Sequence, residues 1–327
     1  WNDVGVPVRF RVGPDEFAFG GLRDRVTEPV LAEGWLPITE IRYAHRSPVQ
    51  AEGMVPLAPT GPRPAPEIYR LEAFAATTPG LVEHCVVFVR FDLAQGANGF
   101  LSVDVDAPGA RFENGRLLDS AGRVIAVFDT TWKRERGRMV ARVRKGAAAG
   151  SGVVGTASVA AYADQRAACV ATWQALVDRA AHVDVPEPRI NHAWRNAIVQ
   201  NFQLINHGQL RYSTGNQYDQ IYSAEGSDAI LALLSWGYAA EARRLMEPIF
   251  DFSRRNLELH QASFKLGNLV RYVRQTRDTA AITELRPRWE KEIARFLDGR
   301  TGPGGLFPKE QYCGDIHTPV QSLNVNS

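Results

Sequence analysis

Two carboxylates near the end of the chain have neighbours that suit acid–base chemistry. Glu310 and Asp315 lie in GGLFPKEQYCGDIHT (304–318), and Asp315 follows Gly314, which leaves the backbone free to aim the carboxyl group into a cleft. Tyr312 is an aromatic neighbour, and partial burial among aromatic groups raises a carboxyl pKa. A carboxyl group that stays protonated near neutral pH can act as a general acid. Asp315 is therefore the first candidate for that role and Glu310 the second.

Both acids also have a purely structural interpretation. Asp is favoured at helix starts, so Asp315 could cap a helix that begins near Pro319. Thr318, directly before Pro319, fits that cap position better, which weakens this interpretation. Glu310 could be a solvated loop acid, and His317 either supports Asp315 or is an ordinary loop histidine.

A second acidic stretch, YDQIYSAEGSD (218–228), precedes a strongly apolar segment. Glu225 and Asp228 lie where that segment predicts the start of a helix, and the helix dipole stabilises a carboxylate there. Tyr222 offers either a stacking surface for a ligand or a core side chain. This stretch therefore predicts a ligand-binding loop, a plain helix start, or both.

Residues 1–160 predict an antiparallel β-sandwich. Apolar and polar residues alternate with a period of two in HCVVFVRFDL (84–93) and LSVDVDA (101–107), which is typical of half-buried strands. Asn114-Gly115 is the strongest hairpin signal. Because no helical pattern separates these strands, parallel βαβ units are disfavoured and a sandwich of many short strands is favoured.

From about residue 164 onward, apolar residues recur with a period of 3.6 residues, which is typical of helices. A linker with a connecting helix is predicted over 161–189, and a helical domain over 190–327. Within that domain the sequence predicts a sixth helix that begins near Pro319, after five helices at 190–206, 226–236, 239–255, 262–275 and 279–298. Pro287 is expected to kink or split the fifth.

The links between these predicted helices alternate in length. Links 207–225, 256–261 and 299–318 are longer, whereas the turns near Gly237 and Arg277 are short. Short links join antiparallel neighbours, so all the longer links should emerge at one end of the helical array. Loops on a rigid scaffold carry binding and catalytic side chains. Besides Asp315 and Glu310, the candidate binding residues are Tyr222, Glu225, Asp228, His260, Lys265, Tyr312 and His317.

Composition and spacing argue against several other classes of protein. Lys+Arg minus Asp+Glu is 38 − 36 = +2 in 327 residues, which provides no electrostatic reason for a nucleic-acid or anionic-membrane partner. No apolar run approaches the ~20 residues that cross a bilayer. The three cysteines are far apart, and a G-x-G-x-x-G spacing at 150–155 lacks the βαβ unit of a dinucleotide site. We therefore expect no metal, no cofactor, no membrane partner and no nucleic-acid partner.

In their order along the chain, these features resemble the six-hairpin glycosidases, the (α/α)6-barrel superfamily that includes glucoamylase, trehalase and α-L-rhamnosidase relatives. YDQIYSAEGSDAILALLSWGY (218–238) resembles the first inner-loop motif of the family, and TRDTAAITELRPRWEKEIARFL (276–297) resembles its fifth helix. GGLFPKEQYCGDIHTPVQSL (304–323) resembles the loop that carries the general acid. The glucoamylase form of the first motif has Arg-Asp where Ala224-Glu225 stands here, so the sugar is left open.

The resemblance implies a multidomain fold, an N-terminal antiparallel β-sandwich followed by an incomplete (α/α)6 toroid. It implies a carbohydrate substrate and an inverting glycoside hydrolase with carboxylate acid and base, in which Glu225 binds sugar hydroxyls. A complete barrel has twelve helices, so the rest of the barrel, with the catalytic base, is expected C-terminal to Ser327. The chain is accordingly expected to be a fragment of a longer polypeptide.

Three other functions remain open from the sequence. A glycoside phosphorylase shares this layout, with phosphate in place of water. A carbohydrate-binding protein without catalysis would need only the binding residues, and an isomerase or lyase could use the same helical toroid. The sugar, the linkage, the stereochemical course (inverting or retaining) and the compartment are not determined, although a periplasmic or secreted location is favoured over a cytoplasmic one.

Overall fold

The computed structural model of the chain describes residues 8–13, 17–45, 65–75, 87–105, 108–145, 148–153, 162–206, 208–213, 218–255, 257–307, 310–311 and 319–320. They belong to two compact units, one within Asp3–Ala175 and Glu187–Asn196, the other within Leu176–Pro186 and Ala197–Ser327. The first unit is rich in antiparallel strands and the second is mainly helical. This confirms the predicted order of a β half followed by a helical half.

The strands of the first unit form two antiparallel sheets. Their bounds are β1 Val8–Val12, β2 Phe17–Ala18, β3 Val30–Ala32, β4 Leu36–His45, β5 Glu67–Ala75, β6 Val87–Gln95, β7 Asn98–Val105, β8 Arg111–Glu113, β9 Arg116–Leu118, β10 Val124–Phe128, β11 Trp132–Glu135, β12 Arg138–Arg144 and β13 Ala148–Val153. One sheet has the order β11-β12-β7-β1-β2, and the other has the order β3-β4-β5-β6-β13-β10-β9-β8.

One hydrophobic cluster contains side chains from both sheets. The rings of Phe10 on β1 and Phe91 on β6 lie 4.8 Å apart between centroids, and Leu101 on β7 is fully buried in the same cluster. Full burial of one such side chain stabilises the fold by about 1.5–3 kcal/mol. Because alternate residues of a strand share a face, the period of two seen in the sequence builds this core.

The hairpin between β8 and β9 turns at Asn114-Gly115, as the sequence predicted. Asn114 has φ 48° and Gly115 has φ 74°, so both turn residues adopt left-handed backbone conformations. Two consecutive left-handed residues are what a type I′ turn requires, and Asn-Gly adopts this conformation at low cost.

The opposite face of β6 packs against the connecting helix α1, Tyr162–Val177. Phe88, next to Val89 in the strand, stacks on Phe74 of β5, and both rings contact Tyr162. On the same face Glu72 accepts hydrogen bonds from Tyr162 Oη at 2.8 Å and Arg166 Nε at 2.9 Å. Burial opposes ionisation of Glu72, but these bonds outweigh it and the pKa of its carboxyl group is lowered.

The second unit contains short helices joined by alternating long and tight links. Its helices are α2 Pro188–Gln203, which begins in the first unit, α3 Ser223–Ser235, α4 Ala239–Asp251, α5 Glu258–Thr276, α6 Ala280–Glu284 and α7 Arg286–Gly299. Its strands are β14 Ile205–Asn206, β15 Gln209–Leu210, β16 Glu310–Gln311 and β17 Pro319–Val320.

The segment predicted as the fifth helix, 279–298, is divided at Leu285, so of the two expected effects of Pro287 the structure shows the split. Pro287 lacks an N–H and is accommodated in the first turn of α7 rather than inside a longer helix. Pro319–Val320 pairs with Glu310–Gln311 as an antiparallel strand, so the sixth helix predicted to begin near Pro319 is wrong at these residues.

The tight links depend on left-handed backbone positions. Gly237, between α3 and α4, has φ 100°, and Arg277, after α5, has φ 61°. At the first turn the Trp236 carbonyl accepts a hydrogen bond from Ala181 N–H at 2.8 Å, and Tyr238 Oη donates to the Leu176 carbonyl at 2.7 Å. These bonds attach segment 176–186 to the α3–α4 turn. In the part of the chain that the structure describes, each helix is either too short or too polar to cross a membrane.

Candidate functional site

The long link between α2 and α3 is folded back on itself. The β14–β15 hairpin begins it, and Arg211 N–H then donates to the Leu204 carbonyl at 2.9 Å. Further along, Tyr212 N–H donates to the Gln220 carbonyl at 3.0 Å. These backbone bonds join the two described sides of the link and place Tyr212 beside Gln220.

Three tyrosines form an aromatic cluster on this link. The Tyr212 ring lies 5.8 Å from the Tyr218 ring and 5.0 Å from the Tyr222 ring, measured between centroids. Tyr212 and Tyr218 are 47% and 44% exposed, whereas Tyr222 is half-buried and its hydroxyl accepts a 2.9 Å hydrogen bond from Gln220 Nε2. We call these three residues the tyrosine cluster. It presents apolar ring faces together with polar hydroxyls to solvent.

The loop between α4 and α5 meets the tyrosine cluster through Arg254. The Arg254 guanidinium lies over the Tyr222 ring, 5.7 Å from its centroid, in a cation–π contact. Arg254 N–H donates to Gln261 Oε1 at 2.8 Å, and this bond from α5 holds the loop in place. The links after α2 and after α4 therefore lie at the same end of the helical unit, as their lengths predicted.

Lys265 holds the end of α4 instead of reaching toward solvent. Its side chain is 1% exposed, and its ammonium donates to the Phe250 carbonyl at 3.0 Å, the Phe252 carbonyl at 2.7 Å and Glu292 Oε1 at 3.0 Å. Three acceptors match the three N–H bonds of an ammonium group. Burial lowers the pKa of Lys265, although the nearby Glu292 opposes that shift. The geometry supports a positioning role for Lys265, and the predicted contact with a ligand gains no support from it.

Glu225 and Asp228 are both exposed in the first turns of α3. The adjacent Gly226 allows this turn to approach α4, because a Cβ atom there would lie 3.0 Å from Ile249 Cδ1. Glu225 is the acidic residue of the first turn, and Asp228 follows one turn later.

His260, in the first turn of α5, is buried with 5% of its surface exposed, and its ring packs edge-on against Phe264 with centroids 5.0 Å apart. Burial lowers the pKa of His260 below its ordinary value of 6.5, and the Glu225 carboxylate opposes this by favouring the imidazolium. Of the predicted site residues, the structure thus brings Glu225 and His260 together, and Tyr222 directly precedes the helix that carries Glu225.

The remaining predicted residues are described in part or not at all. Glu310 is described only as backbone, in β16, and nothing is stated of its side chain. Asp315, Tyr312 and His317 lie outside the described residues. Their assignments stay predictions from the sequence.

An open cleft of about 1010 Å³ runs along the polar side of α4. The β14–β15 hairpin, Gln220 and Ile221 form one wall, α4 forms the other, and Asp278 and Glu284 lie toward the short-turn end. We call it the α4 cleft. Gln220 belongs both to this wall and to the hydrogen bond with Tyr222, so the cleft adjoins the tyrosine cluster.

Sequence reasoning missed Arg254, Tyr212 and Tyr218. Arg254 stands beside Arg255 in a polar link and has no local signal that separates it from solvated charge. The two tyrosines had such a signal, since they are aromatic residues in a polar loop within ten residues of Tyr222. Within the described ranges, no group of three or more His, Cys, Asp or Glu side chains is arranged to hold a metal ion.

Comparison of the chain with models of known protein families finds no match. A comparison with curated proteins finds no match either.

Proposed function

We propose that the protein is a glycoside hydrolase that cleaves an oligosaccharide or glycoconjugate. The observation that carries the proposal is the contact of Arg254 with Tyr222, because it joins two loops at an aromatic residue that directly precedes the helix carrying Glu225 in its first turn. In this proposal the two sheets of the first unit form a β-sandwich, and the helical unit is the first part of an (α/α)6 toroid.

The described residues suit the binding of a sugar ring. A pyranose has an apolar face of C–H groups, and the tyrosine cluster, in which Tyr212 and Tyr218 are exposed and Tyr222 is half-buried, offers a matching apolar surface. The rim of the sugar ring carries hydroxyl groups, which can donate hydrogen bonds to a carboxylate such as that of Glu225. Glu225 and Tyr222 are therefore assigned to substrate binding, with Arg254 over the Tyr222 ring and the buried His260 within the electrostatic influence of the Glu225 carboxylate.

Cleavage of the glycosidic bond requires a proton for the leaving oxygen and a second carboxylate across the ring. Asp315 is assigned as the proton donor and Glu310 is the second candidate. An inverting reaction needs about 6.5–9.5 Å between the two carboxyl groups, so that a water molecule fits between the base and the anomeric carbon. The proton donor must keep a raised pKa, and partial burial beside Tyr312 is the proposed cause.

The test is hydrolysis of neutral oligosaccharides by the full-length protein and its Asp315→Asn variant. Loss of a general acid lowers kcat by about 10²–10⁴-fold. Glu310→Gln, measured in parallel, decides between the two candidates, and Asp298→Asn at an exposed position of α7 is the matched control. Wild-type turnover by Asp315→Asn would show that the acid is misassigned, and absence of turnover by the wild-type protein on every glycan tested would reject the proposal.

A glycoside phosphorylase is the second candidate, and Arg254 favours it. An exposed guanidinium next to the proposed sugar surface suits a phosphate nucleophile, since Arg binds phosphate with paired hydrogen bonds. Turnover that depends on inorganic phosphate, with a raised KM for phosphate in Arg254→Ala, would select this reaction. Turnover that is independent of phosphate would exclude it.

A further inference from the structure

The walls of the α4 cleft carry nearly balanced charge. Three arginines and four carboxylates line it, and the carboxylates already have partners. Arg243 binds Glu247 at 2.6 Å and Glu284 at 2.8 Å, and Asp251 accepts from Arg288 Nε at 2.8 Å. Because these charges nearly cancel, the electrostatic field of the cleft attracts neither a polyanion nor a polycation. The lining also has few large apolar side chains, which disfavours a lipid.

Paired charges and amides make the cleft wall a fixed array of donors and acceptors. Arg243 is held at both ends by its two carboxylates, so its remaining N–H groups have set directions. Gln209 and Gln220 add amide groups on the opposite wall. Arg244 is exposed and forms no ion pair with any residue that the structure describes, so its guanidinium is available to a ligand. Such an array suits a neutral ligand that carries many hydroxyl groups.

The size and position of the cleft indicate a ligand longer than one sugar ring. Small-molecule sites span about 300–1,000 Å³, and this cleft of about 1010 Å³ is at the upper limit. One of its walls leads directly to the tyrosine cluster, because Gln220 lines the cleft and donates to the Tyr222 hydroxyl at 2.9 Å. A chain of sugars with its end ring on Tyr222 would continue into the cleft.

We propose that the α4 cleft is an accessory site for the extended part of an oligosaccharide. The inference rests on the proposed function and defines its substrate as a chain of several neutral sugar units. Arg244 is assigned as a ligand-binding residue of this accessory site. A peptide, which is also neutral and polar, is the alternative occupant that the experiment must separate.

The experiment measures binding of neutral gluco-, manno-, galacto- and rhamno-oligosaccharides of one to six units by calorimetry on the full-length protein. Arg244→Ala removes the free guanidinium, and Ala240→Trp fills the cleft from an exposed position of α4. Arg271→Ala, an exposed arginine of α5 outside the cleft lining, is the matched control. Circular dichroism establishes that each variant keeps the wild-type fold.

We expect affinity to rise with chain length in the wild-type protein and in Arg271→Ala. Arg244→Ala and Ala240→Trp should weaken binding of the longest chain at least about tenfold, the effect of losing one hydrogen bond from a charged group, and leave the monosaccharide unchanged. Equal affinity of wild-type and cleft variants for the longest chain, binding of neutral peptides in preference to sugars, or no sugar binding would overturn the inference. Length-dependent binding without turnover would support it and reject only the proposed hydrolysis.

Discussion

Glu225, in the first turn of α3, lies close enough to His260, in the first turn of α5, to act on its protonation. Burial lowers the pKa of His260, and the carboxylate of Glu225 opposes that shift. The two side chains come from helices that are separated by α4 in the chain. The interaction between Glu225 and His260 therefore depends on the packing of the start of α3 beside the start of α5.

Removing the Glu225 charge should lower the pKa of His260 further. In Glu225→Gln the carboxylate charge that favours the imidazolium is lost while the burial of the ring remains, so the pKa of His260 can only fall. Titration of the His260 ring protons by NMR measures it. Asp228→Asn, an exposed acid three residues away, is the matched control. A His260 pKa that stays the same or rises in Glu225→Gln would contradict the placement of the two residues.

The stability of the helical unit should fall as the pH drops below about 6.5. Above that pH, His260 is neutral in both states and has no effect on the unfolding equilibrium. Below it, the unfolded chain takes up a proton that the folded state resists, so the free energy of unfolding decreases by at most about 1.4 kcal/mol per pH unit.

Urea denaturation between pH 5 and 8 measures this pH dependence. His260→Gln should flatten the profile, because glutamine does not titrate. The control is His182→Gln at an exposed position. A profile that is equally steep in wild-type and His260→Gln would show that His260 is not responsible.

Lys265→Met should destabilise the protein by about 3–5 kcal/mol, the usual cost of breaking a buried ion pair. The substitution removes the hydrogen bonds to the Phe250 and Phe252 carbonyls and leaves Glu292 buried with Arg295, at 2.8 Å, as its remaining described ion-pair partner. Chemical denaturation measures the change.

Two comparisons test the reason for that loss. In the double variant Lys265→Met/Glu292→Leu the buried Glu292 carboxylate, which Lys265 no longer neutralises, is also removed, so part of the stability should return. Glu290→Gln breaks the exposed Arg286–Glu290 pair and should cost less than about 1 kcal/mol. If Lys265→Met and Glu290→Gln lowered the free energy of unfolding by the same amount, the buried contacts of Lys265 would not be important for stability.

The ring of Tyr222, more than its hydroxyl, should matter for a sugar ligand. Tyr222→Ala removes the stacking surface and should lower kcat/KM about tenfold or more, which corresponds to about 1.4 kcal/mol. Tyr222→Phe loses only the bond from Gln220 Nε2 and should stay within about threefold of the wild-type value. Similar losses in both variants would show that the hydroxyl group, not the ring face, contacts the substrate.

Much of the secondary structure was predictable, because local periodicity depends on which face of a strand or helix is buried. The strand around Phe91 and the helix around Leu233 follow this rule, and both residues are fully buried. Helix ends were less accurate. Pro287 predicted a disturbance, but whether it kinks a helix or begins a new one depends on the packing of its neighbours, and the structure begins a new helix.

For the candidate site, too, the local sequence predicted the positions of loops but not the contacts between distant side chains. Loop lengths indicated that the links after α2 and α4 share one end, and Arg254 over Tyr222 agrees with this. The role of Lys265 was not predictable, because its acceptor Glu292 is 27 residues away and a buried lysine has the same letter as an exposed one. Arg254 was missed for a related reason, since Gln261 on the next helix holds its loop in place.

The order of amino acids was enough to specify most of the strands and helices and which of their faces are apolar, since these depend on residues close in the chain. Only the folded molecule decided which charges are buried in pairs, which aromatic rings meet, and that Glu225 acts on His260. Those outcomes depend on distances between residues far apart in the chain, and desolvation and Coulomb energies change steeply over a few ångströms.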